Sequence, residues 1–223
     1  MWDDGQIVEW KNSPITVVDT ETTGLDPEKG HKIVEVSMVR IENGQITKKF
    51  STRLNPERDI PYEVVRIHGI SDKDVVNSPT FEDISDKLHT ALKDGLVCAY
   101  NAPFDQNMLH HEFRAIWGET VTNGYSYLRS PNFWVDPKVW ARHFYGTRHR
   151  NSLVKVCERL GVVNKKAHSA LSDAVATAEV LIKLMDSLPD DFRTLVAQQC
   201  YHRTVHEDVY HRGQAKKAQK ASF

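Results

Sequence analysis

Two carboxylates, Asp19 and Glu21, stand two positions apart, directly after an apolar and β-branched run at residues 15–18. That run predicts a buried strand, and the period of two in a strand puts both carboxylates on one face. Like charges at the end of a buried strand repel and are costly to desolvate, so they need a neutralising partner or access to water. Carboxylate oxygens suit Mg²⁺ and Mn²⁺. The pair therefore indicates either a divalent metal site or an acidic strand end that faces water.

Two further acids lie at predicted helix starts. Asp105 falls in the first turn of a helix that follows a predicted strand, where an acid could also serve only as a partner for the helix dipole. Asp173 lies early in the last core helix, five residues after His168, which precedes that helix. An α/β sheet can gather such positions at the ends of its strands. Four carboxylates and one histidine are typical of a two-metal phosphoryl-transfer site.

The elements that would position these residues follow from periodicity and turn signals. The dipeptide Asn43-Gly44 between two apolar-polar runs predicts a β-hairpin. Strands are predicted at residues 15–20, 33–42, 45–54, 96–100 and 133–135. Helices are predicted at residues 62–68, 79–93 with Ser78 as the cap, 104–116, 137–145, 152–160 and 169–186, with another after residue 190. This order predicts an α/β protein with a central mixed five-stranded sheet and helices on both faces.

Length and composition predict one domain with short appendages. The chain has 223 residues with 40% hydrophobic and 26% charged content, which are ordinary globular values. We expect a polar lead-in at residues 1–13, the catalytic domain at residues 14–187, and an extension at residues 188–223 made of a helix and a mobile basic tail. Three widely spaced cysteines, an acidic N-terminus and no long apolar run predict a reduced, cytoplasmic protein without a membrane segment.

Taken with their order and spacing, these residues resemble the DEDDh 3′→5′ exonucleases of the RNase H-like superfamily. The likeness is greatest to the proofreading ε subunits of bacterial DNA polymerase III. It spans roughly residues 15–185 and also includes the segments 30–35 (GHKIVE), 67–70 (IHGI) and 150–153 (RNSL). The resemblance implies the RNase H-like fold and a metal-dependent hydrolysis of phosphodiester bonds at 3′ ends.

The resemblance also implies a role for each catalytic position. Asp19 would bridge two divalent ions, Mg²⁺ or Mn²⁺, at a separation of about 4 Å. Glu21 and Asp173 would complete the coordination of one ion, and Asp105 would support the other through water. His168 would accept a proton from the attacking water, as a neutral imidazole can near pH 7.

A pocket for the terminal nucleotide is implied in the same way. Glu63 and His68 match positions that hold the 3′-terminal sugar and its hydroxyl. Thr22 and Gly24 would let the backbone approach the nucleotide. Asn101 and Phe104 would shape the floor of the pocket, although Phe104 could equally be an ordinary core aromatic.

The predicted function is the release of nucleoside 5′-monophosphates from single-stranded or frayed DNA 3′ ends, in proofreading or end trimming. One alternative is a 3′→5′ exoribonuclease, since no residue decides how a 2′-hydroxyl would be treated. The other is a docking subunit for a polymerase that retains a nuclease fold, against which the complete set of four acids and His168 argues. A polymerase subunit is the partner we expect.

Three further segments each allow more than one interpretation. They are a basic cluster, a histidine-rich segment and the C-terminal peptide. A basic cluster could contact phosphates or be a solvated loop; its members are Arg142, His143, Arg148, His149, Arg150 and Lys155. The spacing of His202, His206 and His211 does not form a zinc motif, so no zinc site is predicted. The peptide at residues 219–223 is faintly similar to sliding-clamp ligands, but a basic end that contacts phosphates fits better.

Overall fold

The central sheet of the protein has five strands in the order β3-β2-β1-β4-β5. A computed structural model describes residues 10–146, 151–164 and 169–221. The strands are β1 (Ile15–Thr22), β2 (Ile33–Glu42), β3 (Gln45–Arg53), β4 (Leu96–Cys98) and β5 (Trp134–Val135). Strands β1, β2 and β3 pair antiparallel, whereas β1, β4 and β5 pair parallel. The predicted α/β fold with a mixed five-stranded sheet is therefore confirmed.

The change from antiparallel to parallel pairing follows from the connections. Asn43 and Gly44 both have positive φ, 51° and 71°, as a two-residue hairpin requires, so β2 turns directly into β3. Strands β4 and β5 are each reached through helical segments long enough for a parallel crossover.

Ten α-helices connect and cover the strands in the described part of the chain. They are α1 (Tyr62–His68), α2 (Asp72–Val75), α3 (Phe81–Lys93), α4 (Ala102–Trp117), α5 (Glu119–Asn123), α6 (Ser126–Arg129), α7 (Pro137–Tyr145), α8 (Leu153–Leu160), α9 (Ala170–Leu184) and α10 (Phe192–Ala221). The longer ones match the predicted helices, whereas the short α2, α5 and α6 are too brief for periodicity to identify.

Helices cover both faces of the sheet, each over its own apolar cluster. Val17 points into a cluster made with α7, α8 and α9. Its neighbour Val18 points into a second cluster made with α3 and α4. Because side chains alternate along a strand, odd-numbered residues of β1 face α9 and even-numbered residues face α4. This alternation decides which helix meets each functional residue at the end of β1.

Helix α3 begins later than the Ser78 cap predicts. Thr80 and Asp83 form a capping box, in which the Asp83 carboxylate accepts from the Thr80 backbone N–H at 2.8 Å. The Pro79 carbonyl accepts from the backbone N–H of Asn55 at 2.9 Å, so residue 79 belongs to the connection and not to the helix. The Ser78 assignment was therefore wrong by two residues.

The C-terminal extension also differs from its prediction. Helix α10 continues through residue 221, where a mobile tail was expected from Arg212. Residues 214–221 contain only alanine, glutamine and lysine, which have high helix propensity. The mobility of this end stays a prediction. Among the described helices, none has both the length and the apolar character that a bilayer crossing requires.

The described end of the N-terminal lead-in packs against the far end of the domain. Trp10 is fully buried in the α9-side cluster. Its indole Nε1 donates to the Pro189 carbonyl at 2.7 Å, and Lys11 pairs with the exposed Asp190 carboxylate at 2.6 Å. Residues before β1 therefore complete the core beside α9.

We expect Trp10→Ala to lower the free energy of unfolding by about 3–5 kcal/mol, the usual cost of deleting a buried large aromatic. Trp10→Phe, which loses the hydrogen bond to Pro189 but keeps much of the packing, should cost less. Lys11→Ala is the control, because an exposed ion pair contributes less than about 1 kcal/mol. Denaturant unfolding monitored by circular dichroism measures all three, and equal losses for Trp10→Ala and Lys11→Ala would contradict the anchoring role.

Candidate active site

Three carboxylates meet at the end of β1. Asp19 and Glu21 project from β1 toward α9, and Asp173 projects from the first turn of α9. One oxygen from each can be chosen so that all three lie within 4.8 Å of one another. No other set of three histidine, cysteine or acidic side chains in the described ranges is arranged this closely. The two acids two positions apart thus share a face, as their spacing predicts.

Asp105 reaches the same end of β1 from the opposite face of the sheet. Its Oδ1 accepts from the Thr20 backbone N–H at 3.0 Å and from the Thr20 hydroxyl at 2.8 Å. β4 pairs only with residues 15–17 of β1, so the Thr20 amide has no strand partner on that side and Asp105 satisfies it. The Asp105 side chain is buried, and this pair of bonds fixes its position.

The electrostatics of the cluster oppose full ionisation in the absence of a cation. Burial raises the pKa of Asp19 well above its ordinary value, and the neighbouring carboxylates raise it further. Burial, followed by the charges of Asp173 and Glu35, raises the pKa of Glu21 to about 8. Burial raises the pKa of Asp105 to about 7, although the hydrogen bonds from Thr20 oppose that shift. In the described part of the chain, neither Asp19 nor Glu21 forms a salt bridge with a basic side chain.

Asp173 is held through the start of its helix and through a neighbouring amide. The Asn164 side-chain N–H donates to Asp173 Oδ1 at 2.6 Å. Glu35 accepts from the Ala170 backbone N–H, the first of α9, at 3.1 Å. Glu35 lies opposite Glu21 in the β1–β2 register, so it stands on the same face as the acid cluster. Its carboxylate both adds charge to the cluster and holds the helix that carries Asp173.

The role of Glu35 was missed in the sequence analysis, although residues 30–35 contributed to the resemblance. Once the hairpin fixes the pairing of β2, alternation along β2 would place a glutamate beside Glu21. The signal is therefore present, but it depends on a register that sequence alone does not give. His168, the predicted base, lies outside the described residues, as do Arg148, His149 and Arg150.

Thr22 and Gly24 follow directly after Glu21 in a buried turn. The Thr22 hydroxyl donates to the Gly24 carbonyl at 2.8 Å, which holds the turn closed. A Cβ on Gly24 would come within 2.4 Å of the His31 ring. The His31 ring therefore fills the space beside Gly24, and the approach of a nucleotide at this glycine stays a prediction.

Glu63 and His68 lie on the short helix α1, at its beginning and its end. The Glu63 side chain is exposed. His68 Nδ1 accepts from the Ile70 backbone N–H at 3.0 Å, which leaves its proton on Nε2. That Nε2 is buried and makes no hydrogen bond of standard geometry in the described part of the chain. Burial lowers the pKa of His68, although a hydrogen bond with the Thr22 backbone opposes that shift.

Asn101 and Phe104 lie at the start of α4. Asn101 adopts the left-handed conformation, with φ 77° and ψ 49°, and its side-chain oxygen accepts from the Lys138 ammonium at 2.9 Å. Phe104 is half-buried and packs against the cluster between the sheet, α3 and α4. The side chain of Phe104 therefore has the core contacts that the alternative interpretation predicts.

The basic and histidine-rich segments are only partly described. Lys155 pairs with Glu158 on the surface of α8, at 2.8 Å. The His143 ring of α7 stacks on His202 of α10, with ring centroids 3.9 Å apart, and His202 stacks on His206. These rings join two helices through aromatic contacts, and the side chain of His211 lies outside the described residues.

Comparisons with known proteins agree with this geometry. The profile of the RNase_T family, described as "Exonuclease", matches residues 16–181. The DNA polymerase III subunit epsilon of Rickettsia prowazekii (strain Madrid E) is 36% identical over 183 residues, covering 80% of this chain and 77% of that protein.

Two solved structures show the same fold. Exonuclease X in complex with 5′ overhanging duplex DNA superposes with a TM-score of 0.62 at 23% identity, covering 83% of this chain and 99% of that one. The nuclease domain of 3′hExo, a DEDDh family member bound to rAMP, gives a TM-score of 0.61 at 19% identity, covering 79% and 93%. The family profile matches most of the chain, the Rickettsia relative is 36% identical, and the fold is shared. The chain therefore belongs to the exonuclease family and is a 3′→5′ exonuclease.

Proposed function

We propose that this exonuclease removes nucleotides from DNA 3′ ends with the help of two divalent ions, Mg²⁺ or Mn²⁺, and that it acts in proofreading. The acid cluster of Asp19, Glu21 and Asp173 carries the proposal, because its oxygens lie within 4.8 Å of one another. Asp105 stands beside it, held by Thr20. Hard divalent cations prefer such oxygen ligands, and their charge would offset the repulsion that raises the pKa of Asp19 and Glu21.

The carboxylate oxygens of the described acids are ligands that a divalent ion prefers. When bound, such ions lower the pKa of water and stabilise the charge that develops on the phosphoryl oxygens. The chain itself orients the ligands: Thr20 fixes Asp105, while Asn164 and Glu35 fix Asp173 and the start of α9. In our proposal, His168 removes a proton from the attacking water.

His68 supports the proposed pocket for a terminal nucleotide, because the Thr22 backbone, which follows Glu21, acts on its ring. Its Nε2 is a buried donor that makes no hydrogen bond of standard geometry in the described ranges, although the Thr22 backbone lies near it, and a sugar hydroxyl could accept from it. Thr22 closes the turn next to it, and Glu63 remains an exposed candidate for the same hydroxyl. Thr22, Gly24, Glu63, His68, Asn101 and Phe104 stay predictions for nucleotide binding.

Similarity to a polymerase subunit supports DNA as the substrate and a DNA polymerase as the partner. The Rickettsia relative is named as a subunit of DNA polymerase III. Action on replicating DNA would place the enzyme in the cytoplasm, which remains a prediction. Binding of a sliding clamp by residues 219–223 is also a prediction, and RNA is the alternative substrate.

The proposal is tested with 5′-labelled DNA and RNA strands of the same sequence, incubated with the full chain in Mg²⁺ or Mn²⁺. We expect the DNA to shorten stepwise from its 3′ end, and Asp19→Asn to abolish cleavage because it removes a ligand shared by the proposed ions. The Asp19→Asn variant should be no less stable than the wild type without metal, since it relieves carboxylate repulsion.

The outcomes separate the parts of the proposal. Near wild-type cleavage by Asp19→Asn would exclude the acid cluster as the metal site. Degradation of RNA in preference to DNA would support the exoribonuclease alternative. Release of labelled mononucleotide at the first time point would show attack from the 5′ end.

The metal-free protein should lose stability as the pH rises. Glu21 and Asp105 have raised pKa values of about 8 and about 7, against ordinary values of 4.5 and 3.8. Above about pH 4.5 the unfolded chain therefore loses protons that the folded state still holds, which favours unfolding until about pH 8. Denaturant unfolding at several pH values in EDTA measures this fall, and saturating Mg²⁺ should reduce it. The same slope with and without Mg²⁺ would show that no ion binds the cluster.

Replacing His168 tests the proposed base. His168→Ala should lower kcat roughly 10²–10⁴-fold, the range for a general base, with little change in metal affinity. Wild-type activity should rise with pH as the imidazole loses its proton. If the variant kept the same rising limb in its pH–rate profile, another group would be the base.

A further inference from the structure

Helix α10 makes a buried contact with the end of β5, although it lies beyond the part of the chain that matches the family profile. The buried Gln199 amide bridges three groups there. Its oxygen accepts from the Asp136 backbone N–H at 2.8 Å and from the Trp140 indole at 3.2 Å. Its N–H donates to the Trp134 carbonyl at 2.7 Å. The C-terminal helix is therefore joined by hydrogen bonds to β5 and to the residues that follow it.

Asp136, the residue directly after β5, holds the start of α4. Its two carboxylate oxygens accept from the backbone N–H groups of Asn101 and Ala102, at 3.1 and 3.2 Å. One of them also accepts from the Lys138 backbone N–H at 3.0 Å, at the start of α7. Asn101 is in the left-handed conformation, which a non-glycine residue adopts at a cost. The two hydrogen bonds stabilise this turn, from which the chain enters α4 and reaches Asp105 within the first helical turn.

Arg203 of α10 is the ion-pair partner of Asp136. The Asp136 side chain is only 2% exposed, and the Arg203 guanidinium lies 3.4 Å from it. The other end of that guanidinium donates to the Asn132 side chain at 2.9 Å, which orients it. Burial raises the pKa of Asp136, and Arg203 is the strongest influence that lowers it, so the arginine favours the charged form that accepts the two bonds from the α4 turn.

We propose that Asp136 and Arg203 are positioning residues for catalysis, through which the C-terminal helix holds the start of α4 and so the carboxylate of Asp105. This inference rests on the proposed function, in which Asp105 serves the metal site. Neither residue is assigned contact with the substrate. They act through Asn101 and Ala102, whose amides Asp136 orients.

A buried carboxylate that loses its cation is energetically costly to keep charged. If Arg203 is removed, Asp136 is favoured to take up a proton, and one oxygen then becomes a donor that faces a backbone N–H. One of the two bonds to the α4 turn is lost. Displacement of a catalytic group by about 1 Å can reduce a rate by about 10²-fold, so a loosened turn is enough to impair Asp105.

The test compares Arg203→Met with Arg203→Lys in the full chain, acting on a DNA strand with Mn²⁺. Methionine keeps an unbranched, apolar stem without the charge, and lysine restores the charge. We expect Arg203→Met to lower kcat by at least about tenfold and to raise the half-saturating Mn²⁺ concentration, with an unchanged KM for DNA. Arg203→Lys should recover most of the rate. Bound Mn²⁺ measured by electron paramagnetic resonance gives the metal affinity independently of activity.

Two further variants separate positioning from general damage. Arg193→Met makes the same change at an exposed position in the first turn of α10 and should leave all parameters unchanged. Asp136→Asn should resemble Arg203→Met, and the double variant should lose no more than either single one, because both break the same contact. Thermal melting in the assay buffer with Mn²⁺ shows whether each variant is folded under the assay conditions.

Each outcome decides the inference. Folded Arg203→Met with wild-type kcat and Mn²⁺ affinity would overturn it while leaving the proposed function intact. If only the KM for DNA and its salt dependence changed, Arg203 would be a contact for phosphate groups of DNA, and the positioning role would be wrong. Additive losses in the double variant would exclude a shared mechanism. A wild-type chain without nuclease activity would reject the proposed function itself.

Discussion

Repulsion among carboxylates that are packed at the end of one strand is the constraint on which the rest of the site depends. Asp19 and Glu21 point from β1 to the same side and meet Asp173 of α9 there. Burial and mutual charge raise the pKa of Asp19 and Glu21, so the folded chain keeps these groups close against an electrostatic cost. Such an arrangement is stable only because the surrounding structure holds each acid in place, and the cluster is capable of binding a divalent cation.

The supports come from separate parts of the fold. The part of β1 that extends beyond β4, and so has no strand on that edge, supplies the Thr20 groups that bind Asp105. On the other face, Glu35 of β2 accepts from the first amide of α9. Each support uses a backbone amide left free at the end of a strand or helix, so no additional polar group has to be buried without a partner. The acids are thereby fixed by the same features that end the secondary structure elements.

Much of this was predictable from sequence because it depends on short-range patterns. The hairpin at Asn43-Gly44 and the periodicity of the chain were sufficient to predict the five-stranded sheet. The two-residue spacing of Asp19 and Glu21, together with the order of the motifs along the chain, was sufficient to predict the acids that meet there. Glu35 and Asp136 were missed because their contacts depend on strand register and on a turn between distant segments. The later start of α3 shows a smaller difference of the same kind, since a carbonyl used by Asn55 removes Pro79 from the helix.

β1 extends beyond the residues that pair with β4, and this extension has a consequence for dynamics. Thr20 lies in the central strand of the sheet, yet a side chain and not a neighbouring strand accepts the hydrogen bond from its amide. Exchange of that amide proton with solvent therefore does not require the sheet to separate; withdrawal of the Asp105 carboxylate breaks its hydrogen bond. Protection of the Thr20 amide proton from exchange thus reports the position of Asp105. Local opening at the acid cluster is therefore energetically separate from unfolding of the domain.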